Sequence, residues 1–206
     1  MRKRTISIVA IFSVLFLWGC YPDGPNYTED MDLVITHHNP DYNFVAKTTY
    51  AMPDKVVKIT GNKQEGDAPE FIPDATAKSL LDRVAANMES LGWQRVDVSA
   101  NPDVLLTPAS WETTTVYYYY DYWYWWYGGY YPPYYGGYYP PTYASSYTTG
   151  TFLVTMSDPD ELSGTGKAVQ QWTGAINGIL DSKYNPARVL PLVDQMFTQS
   201  QYLKTN

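Results

Sequence analysis

Asp74-Ala75-Thr76-Ala77-Lys78-Ser79-Leu80-Leu81-Asp82-Arg83-Val84-Ala85-Ala86-Asn87-Met88-Glu89-Ser90-Leu91-Gly92 is the stretch that decides the fold class. Leu80, Leu81, Val84, Ala85, Met88 and Leu91 recur at three- and four-residue spacing, while Lys78, Asp82, Arg83 and Glu89 fall off that stripe. The spacing predicts an amphipathic helix, with Asp74 placed to cap the first turn and Gly92 to stop the chain. A second stripe, Val189, Leu192, Val193, Met196 and Phe197, predicts a helix over 187–203. It is expected to start within a few residues of Pro191, which has no N–H to give to a helix interior.

Outside these helices the patterning is that of strands, expected at 31–36, 44–52, 56–60, 93–98, 104–116, 149–156 and 167–176. Polar loops are expected at 61–73 and, as a hairpin connection, at 157–166. Two helices and several strands without regular alternation predict one α+β domain over 31–206. Its sheet is expected to be mostly antiparallel, with the two main helices packed on one face.

Residues 117–147 interrupt this pattern. They hold 15 of the 21 tyrosines and three of the seven tryptophans, and Gly128-Gly129-Tyr130-Tyr131-Pro132-Pro133-Tyr134-Tyr135 is followed by the near-copy Gly136-Gly137-Tyr138-Tyr139-Pro140-Pro141-Thr142-Tyr143. Each ring offers about 150–250 Å² for burial. If about 50 Å² of each stayed exposed, the patch would approach roughly 900 Å², beyond the roughly 300–600 Å² usual for the largest patch of a monomer. The Gly-Gly and Pro-Pro pairs also break any long strand. The tract therefore reads as an exposed, low-complexity aromatic extension between two strands. Tyr and Trp dominate protein-binding hot spots, which makes Tyr122, Trp123, Tyr124, Trp125, Trp126, Tyr130, Tyr131, Tyr134, Tyr135, Tyr138 and Tyr139 candidate contacts for a protein partner. Flat rings with polar edges suit sugars equally, so a glycan or cell-wall ligand is the alternative. Contact with the bilayer interface and self-packing without a ligand also stay open.

The N-terminus sets the compartment. Arg2, Lys3 and Arg4 precede an apolar run from Ile6 to Trp18 that is too short for a bilayer span of about 20 residues, so residues 1–19 read as a secretory signal peptide. Cys20, the sole cysteine, follows Leu17-Trp18-Gly19 and is the expected lipidation site. Leu17 and Gly19 fit the lipobox of bacterial lipoproteins, and Trp18 departs from it. Residues 20–30 carry two prolines, a glycine and three acids, and read as a lipidated N-terminus and tether of at most about 36 Å from 21 to 30. Tyr21, where an inner-membrane retention signal has Asp, favours the outer membrane.

Loss of Arg2, Lys3 and Arg4 makes the formal charge more negative than the −7 of the whole chain, which disfavours nucleic acid as a partner. No cofactor, metal or catalytic set is expected, and the chain is read as a non-enzyme. His37 and His38 point to opposite faces of a strand and are expected exposed at its end. Asp158, Asp160 and Glu161 lack calcium-loop spacing and are expected in a solvated turn.

In order, Asp41-Tyr42-Asn43-Phe44, Thr49-Tyr50-Ala51-Met52-Pro53, Leu91-Gly92-Trp93, Asn101-Pro102-Asp103-Val104-Leu105-Leu106, Gly150-Thr151-Phe152-Leu153-Val154 and Val169-Gln170-Gln171-Trp172-Thr173-Gly174-Ala175 resemble a bacterial lipoprotein family, domain of unknown function 4136. The resemblance covers roughly 31–203 and puts the tyrosine tract where that family carries a variable aromatic loop. It implies the fold and an exported, lipid-anchored protein, and it implies no activity.

Overall fold

A computed structural model describes residues 32–60, 68–111, 150–162, 168–180 and 184–205. The elements are β1 (Val34–His38), β2 (Thr49–Ala51), β3 (Val57–Ile59), β4 (Glu70–Phe71), α1 (Asp74–Ser90), β5 (Gln94–Arg95), β6 (Val104–Trp111), β7 (Thr151–Leu162), β8 (Ala168–Ile176) and α2 (Pro186–Thr198). Single 3-10 turns occupy Phe44–Ala46, Val98–Ala100 and Gln201–Leu203.

One sheet takes all eight strands in the order β1-β8-β7-β6-β2-β5, with β3 on β6 and β4 on β3. The α+β class and the mostly antiparallel sheet are as expected, and the sheet is mixed rather than purely antiparallel. β1, β8, β7 and β6 pair antiparallel, whereas β2 and β3 run parallel to β6, and β2 parallel to β5. Parallel neighbours need a long crossover. Helix α1, lying between β4 and β5 in the chain, is that crossover.

Both helices pack on one face. Leu80, Val84 and Met88 of α1 and Val189, Val193, Met196 and Phe197 of α2 join Leu106, Phe152, Val154, Met156 and Trp172 of the sheet in the main core. The alternation that puts these strand residues inward turns Leu105, Ala109, Trp111, Leu153 and Ala175 to the opposite face, where they join Ala51, Val57 and Ile59 in a second cluster. Gly174 lets α2 close on β8: a Cβ there would stand 2.1 Å from Met196 Sδ and 2.8 Å from Trp172 Cη2.

Helix α1 ends as its sequence indicates. Gly92 has φ +94°, its N–H bonds Glu89 O, and the Trp93 N–H bonds Met88 O, a Schellman arrangement that satisfies the last carbonyls. Its start differs. Pro73 is the N-cap and no side chain caps it, while Asp74 is the first helical residue and pairs with Lys55 at 3.1 Å. A carboxylate there still favours the positive helix end.

Other boundaries moved for identifiable reasons. β1 runs two residues beyond 36, because β8 supplies partners as far as Trp172 opposite His38. The expected strand at 44–52 keeps only Thr49–Ala51, and that at 93–98 only Gln94–Arg95. Glu70–Phe71, inside the expected loop 61–73, pairs with β3. β7 continues to Leu162 through register shifts after Met156 and Ser157, so the expected hairpin loop begins six residues late. α2 starts at Pro186, capped by Asn185 Oδ1 on the Ala187 N–H at 3.1 Å, and tolerates Pro191 inside it. Its last expected turn is the 3-10 segment Gln201–Leu203.

Candidate functional site

Cys20 and every candidate contact of the aromatic tract lie outside the described residues. The structure gives the frame from which the tract departs. Trp111 and Thr151 are register partners at the ends of β6 and β7. The Gly150 N–H bonds Trp111 O at 2.8 Å, and the Leu180 N–H bonds Gly150 O at 2.9 Å. Gly150 has φ +76°, a conformation that needs glycine. The described residues thus stop at Trp111 and resume at Gly150, at the paired ends of two hydrogen-bonded strands inside the sheet.

Away from that frame, the segment joining β1 to β2 forms a polar cluster on β7. The Asp158 carboxylate is fully buried and accepts from Tyr42 Oη at 2.7 Å and Lys47 Nζ at 2.7 Å through one oxygen, and from the Asp160 N–H at 2.8 Å through the other. This overturns the solvated turn expected for Asp158; Asp160 and Glu161 are exposed as expected. Beside it Asn39 Nδ2 donates to Gln171 Oε1 at 2.9 Å, and Gln171 Nε2 donates to Glu161 Oε2 at 3.1 Å. Asp103 fastens the other end of the segment: one oxygen accepts from the Thr48 N–H (2.9 Å), the Thr49 N–H (2.8 Å) and Thr49 Oγ1 (2.8 Å). Tyr42 meets the Phe44 ring edge-on at 4.8 Å, and His38 stacks on Tyr202 at 3.7 Å. His38 is therefore half-buried rather than free at a strand end, while His37 is exposed as expected.

The electrostatics define what this cluster can do. Burial raises the Tyr42 hydroxyl far above its ordinary value, and the bond to Asp158 raises it further. Burial works to lower Lys47, but Asp158, Asp103 and Glu161 outweigh it and the ammonium is held above its usual range. Tyr42 is thus a standing donor and Lys47 a standing cation, forms that are neither base nor nucleophile near neutral pH. Burial, with His37 adding to it, lowers His38, which keeps its imidazole neutral there.

Asp103 predicts an acid dependence. Its burial would raise the carboxyl, but the N–H groups of Thr48 and Thr49 and the Thr49 hydroxyl carry it below the usual value. A lowered folded-state value contributes stability that is complete above the unfolded value near 3.9 and is lost as pH falls through the lower one. Asp103→Asn is expected to cost about 1–2 kcal/mol at pH 7. The gap from wild type should narrow in urea melts near pH 3; an unchanged gap would refute the assignment.

A surface depression of about 310 Å³ lies between the start of α1 and β5, lined by Asp54, Lys55, Asp74, Lys78, Leu81, Asp82 and Arg95. Its charges pair internally as Arg95–Asp54 (2.7 Å), Lys55–Asp74 (3.1 Å) and Lys78–Asp82 (2.7 Å). Leu81 is the one apolar residue of this lining, and the other six are charged.

Residues 34–200, which contain the whole sheet and both helices, match the family model described as Domain of unknown function (DUF4136). The chain belongs to the DUF4136 family. A crystal structure of a DUF4136 family protein from Bacteroides thetaiotaomicron is similar at 28% identity and a TM-score of 0.61, covering 84% of this chain and 97% of that one. The PelC dodecamer from Paraburkholderia phytofirmans aligns at 14% identity and a TM-score of 0.40, over 85% of this chain and 99% of that one. Comparison with curated proteins gives no match. In this DUF4136 chain the residues that carry the family resemblance have structural tasks: Tyr42 and Asp103 fasten the β1–β2 segment, Gly92 ends α1, and Trp172 and Gly174 seat α2. Sequence patterning missed the Tyr42–Lys47–Asp158 set, because Tyr42 and Asp158 are 116 residues apart.

Proposed function

We propose that this DUF4136 protein is a non-catalytic lipoprotein of the cell envelope, anchored through Cys20, that binds a protein partner with its aromatic tract. The observation that carries the reading is the eighteen-ring tract (117–147) set between two paired strands of one sheet. Rigid scaffolds commonly present binding loops in this way. Among the described residues no helix is long and apolar enough to cross a membrane, so the proposed attachment rests on the lipid at Cys20, and Tyr21 favours the outer membrane.

Envelope cross-linking of wild type and of a chain lacking 117–147 tests the reading. Loss of cross-linked proteins is the expected result. Loss of glycan or peptidoglycan retention instead selects a carbohydrate-binding module, and no change in either removes the tract as a binding site. Lipid labelling should vanish in Cys20→Ala; equal labelling would overturn the anchor.

A further inference from the structure

Among the described residues, β1, β4 and β5 each pair with one neighbour only and so form the edges of the sheet. An open edge is a template for another strand, and proteins guard it by shortness, charge, proline or a bulge. β4 (Glu70–Phe71) and β5 (Gln94–Arg95) are guarded: each is two residues long and carries a charged side chain. β1 differs. Its five residues, Val34-Ile35-Thr36-His37-His38, pair with β8 in unbroken register. They include no Lys, Arg, Asp, Glu or Pro, and Val34, Ile35 and Thr36 are β-branched.

The register fixes which backbone groups point outward. The Asn177 N–H bonds Leu33 O at 3.0 Å, and the Asn39 N–H bonds Gln171 O at 2.8 Å. Hydrogen-bonded residues alternate along an antiparallel ladder, so Leu33, Ile35, His37 and Asn39 turn their N–H and C=O groups to β8. Val34, Thr36 and His38 turn theirs away from it, and no described strand lies beyond β1. Side chains hold this edge from one face: Val34 belongs to the helix-side core, and His38 stacks on Tyr202 at 3.7 Å. Leu33, just before the strand, is 52% exposed.

We infer that β1 is a docking edge for a second copy of this chain, the two β1 strands pairing antiparallel about a two-fold axis at Thr36. The outward row is symmetric about that residue. An inverted copy sets Thr36 against Thr36 and Val34 against His38, so each outward N–H meets a C=O. Thr opposite Thr is a favourable cross-strand pair. Such a contact uses the same edge of both copies and closes at two chains. Charge favours the same occupant. The chain carries a formal charge of −7, and two copies of an acidic protein approach with least repulsion where neither presents a charge. Helix α2, which packs over β1, continues that surface. Its exposed residues Pro186, Ala187, Pro191, Gln195 and Thr198 are uncharged, while its Arg188 pairs with Asp32 and its Asp194 with Arg83.

The test uses the purified full-length chain carrying Cys20→Ala, so that no lipid holds copies together. Sedimentation over a concentration series up to about 1 mM is expected to pass from one chain to two. Over the same series the amides of Val34, Thr36 and His38, followed one by one by NMR, should exchange at least about tenfold more slowly at the concentrated end. Thr36→Lys sets like charges directly opposite each other and should leave single chains throughout. The amide measurement needs no substitution, so it decides the matter even where Thr36→Lys does not fold. Single chains at every concentration would overturn the dimer, as would an assembly that survives Thr36→Lys. Protection of these amides that is independent of concentration would mean that the chain covers its own edge. Protection that appears only when envelope proteins are added would give the edge to a foreign strand. Either result overturns pairing between copies.

Discussion

Trp172→Ala is expected to lower stability by about 3–5 kcal/mol, the usual range for removing a fully buried large aromatic. Trp172 is 0% exposed on β8, its ring lies 5.4 Å from Phe197 of α2, and its indole N–H donates to Ser200 Oγ at 2.9 Å. Truncation opens a cavity between sheet and helix and removes the donor of a buried hydroxyl, and Gly174 beside it has no side chain to collapse inward. A domain of 150–250 residues loses about 2–4 °C per kcal/mol, so a fall of roughly 10–15 °C in Tm is expected. Trp172→Phe keeps most of the packing and should lose less than half as much. Thermal melts that separate the two variants by only a degree or two would show that α2 is not seated on this ring.

Asp158→Ala is expected to cost about 3–4 kcal/mol, because breaking a buried pair leaves a partner charge without compensation. Lys47 would keep its ammonium against the sheet, and Tyr42 Oη would lose its acceptor. Tyr42→Phe alone should cost about 1 kcal/mol, the net value of one hydrogen bond. The two changes should be non-additive, since the second removes a bond already lost. Urea melts of the double-mutant cycle measure this. Strict additivity would mean that Tyr42 and Asp158 do not act together, and a negligible loss in Asp158→Ala would return Asp158 to the surface.

Asp158 shows why part of the site was not legible beforehand. Ser157-Asp158-Pro159-Asp160-Glu161 is a polar run whose local chemistry is that of a turn. It continues β7 instead because donors from the β1–β2 segment make burial of the carboxylate favourable. Local composition reports the cost of burying Asp158 and carries no sign of the distant groups that offset it. The groove beside α1 was invisible for the same reason, as two of its three ion pairs, Arg95–Asp54 and Lys55–Asp74, join residues far apart in the chain. The tyrosine tract and Cys20 were fully legible as chemistry, because clustering of rings and placement of a lone thiol are properties of the chain itself.

The sequence by itself determined α1, α2 and the β7 and β8 cores, along with the α+β class. Their apolar periods of 3.6 and two are written in neighbouring residues, and each period fixes which face is buried. Only the tertiary structure decided that the sheet is mixed, that Glu70–Phe71 is a strand at all, and that Asp158 is interior. A two-residue strand has no periodicity to detect, and the parallel pairs exist only once the crossover through α1 has brought distant segments side by side.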